Sequence, residues 1–283
     1  MPAAASRLGA AMQQAEMMPA LNPAHEVGHE AAQFRPCALI PVYDHEHAIG
    51  TVLAAVLAHG LPCILVDDAS SASCAAVLDE LAAAHPQRVT LLRHAANRGK
   101  GGAVLTAVRH AAAAGYTHAL QIDADGQHCT DDIPRFLQQA AAQPQSLIAG
   151  CPQYDDSVPS VRFYGRYLTH VWVWINTLSL DIKDSMCGFR VYPLPSLMHL
   201  TQRKQLGARM DFDTEVLVRL HWDGVPVVNL PTRVTYPMDG VSHFRVGLDN
   251  VLISRMHATL FFGMLIRAPR LLARRLWLAR GRS

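Results

Sequence analysis

The 283-residue chain has no CxxC pair, no internal repeat, and neither of the glycine signatures GxGxxG and GxxxxGK[ST]. Nor does it contain a charge-free apolar run of about 20 residues. Each absence removes a class. Six cysteines (37, 63, 74, 129, 151 and 187) scattered without pairing read as the reduced thiols of a cytoplasmic protein, not as a disulfide framework. Lacking the apolar run, the chain is not expected to carry a spanning helix. Lacking the two signatures, it has neither a dinucleotide fingerprint nor a P-loop. The first 35 residues show no basic start and no apolar stretch, so no secretory signal is expected. Charge is sparse as well, at 17% of residues with a formal net charge of +2, too little to point to nucleic acid.

What is present is a regular rhythm. Short apolar runs at 37–43, 63–68, 89–93, 118–123 and 146–151 each have the length of a buried strand. Between them lie Ala/Leu-rich segments of helical length at 46–59, 72–84, 100–114 and 131–142. Strands alternating with helices predict an α/β fold with a mostly parallel central sheet flanked by helices. The second half departs from this rhythm. It offers a helix over 162–180, a loop over 181–193, a helix over 211–223, a strand pair within 225–237 and an apolar segment of helical spacing over 246–266. Three regions follow: a flexible extension (1–35), a main domain (36–245) and an amphipathic, Arg-rich helical tail (246–283).

In a parallel sheet, ligands sit beyond the carboxyl ends of the strands. Asp67, Asp68, Asp123 and Asp125 all fall there. In "DADGQ" (123–127) the two aspartates are two residues apart, so an extended backbone turns both carboxylates to one side. Such a pair faces a metal ion, an arginine or bulk water; an all-oxygen set completed by Gln127 suits Mg²⁺ or Mn²⁺. In "LVDDAS" (65–70) an acid at the strand end can accept bonds from a base or a ribose, and Asp67 is the better placed; Asp68 and Ser70 are equally suited to cap the next helix. In "NRGKGG" (97–102) glycines open a helix, where main-chain N–H groups and the helix dipole can receive a diphosphate.

Taken in order, "IPVYDHE", "VDDAS", "NRGKGG" and "DADGQ" resemble the family 2 glycosyltransferases of the GT-A fold, particularly the branch containing dolichyl-phosphate mannose synthases. The resemblance runs over 37–245, about three quarters of the chain, with "CGFRVYP" and "GVSHFR" matching the acceptor half. It implies a nucleotide-sugar donor, UDP- or GDP-linked, held by Pro41, Tyr43, Glu46, Asp67, Lys100, Asp123 and a late Arg245. It implies Mg²⁺ or Mn²⁺ on Asp123, Asp125 and Gln127, and transfer with inversion to a lipid or polyprenyl-phosphate acceptor. Asp184 and Arg190, flanking Gly188-Phe189, are the acceptor-side candidates. The mannose synthases usually carry an arginine after the strand that follows the metal site; here the chain reads "GCPQYDDS" (150–157), leaving Arg162 or Arg166 to supply the charge. Ser242 and His243 match the family's late closing element. Asp211, Asp213 and Glu215 are the remaining ionisable candidates of this half, each read first as a helix cap or surface charge.

Other signals point elsewhere. "HEVGH" (25–29) fits the HExxH zinc pattern but stands in the N-terminal extension, away from any domain that would bring a third ligand. "HVWVWINTLSL" (170–180) is too short to span a membrane. The tail mixes Leu260, Phe261, Phe262 and Trp277 with arginines, which suits an interfacial helix on anionic lipid at the inner membrane face. The rival classes are a nucleotidyltransferase, whose early Gly-rich loop is missing from 41–50, and a non-catalytic nucleotide-sugar-binding protein of the same fold.

Overall fold

The computed structural model describes residues 33–153, 160–235 and 246–280. The first half alternates as its hydrophobic rhythm predicts. β1 (Pro36–Val42), α1 (Ile49–Ala58), β2 (Cys63–Asp67), α2 (Ala72–Ala84), β3 (Val89–Arg93), α3 (Lys100–Ala113) and β4 (His118–Gln121) follow one another. A 3₁₀ turn (Thr130–Asp132), α4 (Ile133–Ala142) and β5 (Leu147–Gln153) complete it. The second half contains α5 (Ser160–Thr177), β6 (Arg190–Pro193), α6 (Leu194–Arg203), α7 (Phe212–Trp222), β7 (Val227–Arg233) and α8 (Val246–Arg280).

The seven strands form one sheet in the order β3-β2-β1-β4-β6-β5-β7. All pairs are parallel except those made by β6, which runs antiparallel between β4 and β5. Strand alternation then divides the core between two layers. In β1, Cys37 and Leu39 enter one layer with Val108 and Leu217; Ala38, Ile40 and Val42 enter the other with Val56 and Phe136. All six cysteines are free thiols, and burial pushes those of Cys37 and Cys187 up to about 12.

Three expectations change. The 181–193 segment is not wholly loop: its last four residues are β6, and their fully buried pattern comes from neighbours on both sides of the strand. Helix α6 was not anticipated, because its Pro195 and mixed "LPSLMHLTQR" pattern hide a Pro at the first turn, where proline is tolerated. The strand pair expected within 225–237 is one strand, β7, followed by a single antiparallel bridge from Val234 to His128. The "HEVGH" motif, Arg245, Ser242 and His243 lie outside the described residues, as does the side chain of Arg162.

Candidate active site

Strands β2, β1 and β4 are neighbours, so the loops leaving their carboxyl ends meet. The β1 loop is stitched to the β2 loop: Ser71 N–H donates to Asp44 Oδ1 (2.7 Å), Asp44 N–H to Ser70 Oγ (3.2 Å), and Ser73 Oγ to Glu46 Oε1 (3.4 Å). Pro41 lies in β1 opposite Val66, and Tyr43 and Glu46 are partly buried just beyond it. Asp67, at the end of β2, is 1% exposed and already engaged, accepting from Ser70 N–H (2.9 Å) and Arg93 Nε (2.7 Å). These residues come together at one sheet edge, but the Asp67 carboxylate is committed to its own neighbours.

The glycine segment does something other than expected. Asp68 does not cap a helix; it accepts from Arg98 N–H (2.8 Å), Gly99 N–H (2.7 Å) and His94 Nδ1 (2.6 Å). Gly102 N–H donates to Ala208 O at 2.9 Å. Gly99 sits at φ +86, and a Cβ there would lie 2.5 Å from Ala208 O; one on Gly101 would lie 2.4 Å from Phe212 Cβ. These glycines therefore allow the start of α3 to press against the 207–212 segment. Three main-chain N–H groups of the segment expected to receive a diphosphate, those of Arg98, Gly99 and Gly102, are satisfied inside the protein.

Lys100, in the first turn of α3, stands between two carboxylates. Its Nζ is 2.8 Å from Asp123 Oδ1 and 2.9 Å from Asp213 Oδ2. Burial alone would lower the ammonium's pKa, but Asp123 and Asp213 outweigh it and hold the group above the ordinary lysine value. Asp123 answers in kind: burial would raise it, yet Lys100 and the His128 ring (Nε2 3.3 Å away) hold it well below the usual carboxylate range. Asp213 is fixed from behind by Gln121 Nε2 (3.2 Å), whose Oε1 accepts from Tyr192 OH (3.2 Å). The positive charge facing Asp123 is thus a lysine shared with Asp213. From the sequence Asp213 is one of several ionisable candidates in the second half and reads first as a helix cap or surface charge; only the register of α7 turns it inward onto Lys100.

Asp125 differs from Asp123. Burial first, and then the negative Asp123, push its carboxyl above the usual range, opposed by the Gln127 N–H that donates to its Oδ1 at 3.0 Å. Gln127 O in turn accepts from Thr235 N–H at 2.9 Å, which pins the turn. Among the described residues no group of three His, Cys, Asp or Glu side chains is disposed to hold a metal. The donor set that fits a hard cation is the oxygen set of Asp123, Asp125 and Gln127. Asp123 Oδ1 suits it, being buried without a hydrogen bond and in ionic contact with Lys100 only.

The 184–190 loop closes over this point. A Cβ on Gly188 would lie 2.4 Å from Asp123 Oδ2, so only glycine lets the loop touch that carboxylate. Asp184 shapes the loop: it accepts from Arg166 Nε (2.6 Å) and Nη2 (2.7 Å), and from the N–H groups of Met186 (2.9 Å) and Cys187 (2.8 Å). His170 Nε2 lies 3.2 Å from it. Arg166, a candidate for the missing acceptor-side charge, is therefore spent on Asp184. Arg190 is wholly buried, and its guanidinium donates to the main-chain carbonyls of Cys187 (2.7 Å), Ser185 (2.7 Å) and Asp213 (2.6 Å). It does not reach open space. Asp211 and Glu215 brace the 207–212 segment, accepting from Arg209 N–H (3.1 Å) and Gly207 N–H (2.7 Å) respectively.

Burial would raise the Asp184 carboxyl, but His170 and Arg166 prevail and hold it well below its ordinary value of 3.8. A carboxylate whose folded pKa is depressed lends stability that is complete above the unfolded value and lost as pH falls below it. Acid unfolding of the wild type is therefore expected to steepen below about pH 4, and Asp184→Asn should flatten that limb in urea titrations at stepped pH. Superimposable acid limbs would contradict the pairing.

A mostly parallel sheet with an antiparallel insertion, carrying an Asp-x-Asp loop after β4 beside a lysine from α3, is the GT-A architecture. The family model "Glycosyl transferase family 2" matches residues 37–195, and the chain belongs to that family: it is a glycosyltransferase. It is 26% identical over 235 residues to the polyprenol monophosphomannose synthase of Mycolicibacterium smegmatis, covering 76% of this chain and 84% of the relative. It is 24% identical over 214 residues to the UDP-N-acetylglucosamine–dolichyl-phosphate N-acetylglucosaminyltransferase of Methanococcus voltae (70% and 84%). Among solved structures, the mannosyltransferase of Pyrobaculum calidifontis in complex with GDP-mannose and Mn²⁺ aligns with TM-score 0.54 at 19% identity, over 82% of this chain. This chain spans 64% of that protein's length.

Proposed function

We propose that the protein transfers a sugar, with inversion, from a UDP- or GDP-linked donor to a polyprenyl phosphate at the cytoplasmic side of a membrane. The observation that carries this reading is the Lys100 ammonium held against Asp123 at the carboxyl end of β4. The similarity to synthases named for polyprenol and dolichyl-phosphate products supports the acceptor class.

Asp123, Asp125 and Gln127 would hold Mg²⁺ or Mn²⁺, which when bound stabilises the charge growing on the departing nucleoside diphosphate. Pro41, Tyr43, Glu46 and Asp67 line the edge that would take base and ribose. Arg245 is kept as a donor-side residue from the sequence. A phosphate acceptor is already an anionic nucleophile and needs no base. That agrees with Asp184, a charged and fully bonded carboxylate unsuited to take a proton at neutral pH. Asp184 and Arg190 then serve by building the loop over Asp123.

The test is a transfer assay with purified protein, Mn²⁺, undecaprenyl phosphate and each of UDP-glucose, UDP-N-acetylglucosamine and GDP-mannose. Expected is release of UDP or GDP from one donor, with an acid-labile glycosyl phosphate of opposite anomeric configuration. A product carrying the sugar on a hydroxyl, or no diphosphate release from any donor, would sink this reading.

A further inference from the structure

A cavity of about 610 Å³, within the size range of small-molecule sites, lies between α3 and the end of α6 with the segment after it. Gly102, Leu105, Thr106 and Arg109 form one stripe along α3, with Arg98 at its head. Lys100 belongs to another face: two residues of helix turn it by about 200° from Gly102, and its ammonium goes to Asp123 and Asp213. The cavity is therefore separate from the candidate active site. Gly102 leaves room for Arg98, whose Cβ would stand 2.8 Å from a Cβ there, and its N–H donates across to Ala208 O (2.9 Å).

What the cavity could hold follows from its lining. Four cations face it, Arg98, Arg109, Arg203 and Lys204, and no aspartate or glutamate does. Arg203 is already engaged, its Nη2 lying 2.6 Å from Asp223 Oδ2. The other three are exposed, and none has an ion-pair partner among the described residues. Like charges gathered in one concavity repel, and a bound anion would relieve that repulsion. Guanidinium and ammonium groups suit phosphate oxygens, and the exposed amides of Gln202 and Gln205 suit hydroxyls. No aromatic ring lines the cavity, so a nucleobase would find nothing to stack on. These chemistries describe a phosphorylated, hydroxyl-rich molecule rather than a nucleotide.

We infer that this cavity binds a sugar phosphate, as a second small-molecule site apart from Asp123. A bound phosphate bridges the cations of α3 to Lys204 on the opposite wall. Thr106 ties the α3 wall inward: its Oγ1 is 2.9 Å from His94 Nε2, and His94 Nδ1 is 2.6 Å from Asp68 Oδ1. Asp68 also accepts from the N–H groups of Arg98 and Gly99, the residues leading into Lys100. Occupancy therefore braces that segment and raises thermal stability. None of this rests on the transferase reading.

The experiment is calorimetric titration of the full chain with glucose 6-phosphate and, separately, inorganic phosphate. EDTA is present, so that metal-dependent binding at Asp123 contributes nothing. Arg109→Glu/Lys204→Glu reverses two exposed charges outside the candidate active site. The neutral Arg109→Gln/Lys204→Gln pair is measured beside it, with circular dichroism to confirm that each is folded. Expected is binding of glucose 6-phosphate by the wild type and by Asp123→Asn with equal affinity, tighter than inorganic phosphate and accompanied by a higher Tm. Affinity should fall about tenfold or more in both charge variants. Metal-dependent binding of UDP or GDP should persist in those variants; if neither nucleotide binds even the wild type, the transferase reading fails while the cavity stands on its own titration. No binding by the wild type, equal affinity in the folded variants, or loss of binding in Asp123→Asn would overturn the inference. So would inorganic phosphate binding as tightly as the sugar phosphate, since the cavity would then read charge alone.

Discussion

Asp123→Asn is expected to lower sugar transfer by ~10³-fold or more at saturating donor, while the chain stays folded. Two features of the site lead there. Asp123 is the one carboxylate contacted by Lys100, by the His128 ring and, at van der Waals range, by the Gly188 backbone. It also heads the oxygen set of Asp123, Asp125 and Gln127 that we propose holds the divalent ion, and the asparagine amide is a far weaker ligand than a carboxylate. Folding should survive because Lys100 keeps a second anchor in Asp213 at 2.9 Å, so the buried ammonium is not left without a counter-charge. The measurement is calorimetric titration with UDP and GDP, each in Mn²⁺ and in EDTA, alongside the transfer assay. Metal-dependent binding in the wild type, absent from the variant, is the expected pair of results. Equal metal-dependent binding by both proteins would remove Asp123 from the site.

Much of the frame was readable because local pattern and tertiary role coincide. The five runs from 37 to 151 are short, apolar and separated by helix-length Ala/Leu segments, and each became a strand of the sheet. The aspartates at their ends are legible for the same reason, since strand ends are where polar residues reach open space. What the pattern hid is set by neighbours distant in sequence. β6 reads as loop until β4 and β5 flank it. Asp213 reads as a helix cap until α7 turns it onto a lysine 113 positions earlier. Arg166 and His170 look like polar positions on an aromatic helix, and only the fold reveals that they hold Asp184. The glycines of 97–102 were recognised as important, but their composition could not tell a phosphate cradle from a close backbone contact. The 207–212 segment decides between them.

Arg190 is where chemistry and architecture are easiest to confuse. An arginine beside a Gly-Phe pair in an acceptor loop invites a role on phosphate, and such a role predicts lost turnover with unaltered stability. The structure predicts the reverse order of effects. Its guanidinium satisfies three main-chain carbonyls, those of Cys187, Ser185 and Asp213, and lies 3.9 Å from Asp213 Oδ1. Removing it leaves those acceptors buried without donors, each costing about 1–3 kcal/mol, and strips a countercharge from the Lys100–Asp213–Asp123 chain. These costs overlap rather than add, so Arg190→Met should destabilise the protein by about 3–5 kcal/mol. Urea unfolding would show it as a fall in midpoint. Arg190→Lys should recover little, because one ammonium cannot reach three carbonyls that a planar fork meets at once. A folded Arg190→Met protein with a wild-type midpoint and no turnover would return Arg190 to the acceptor.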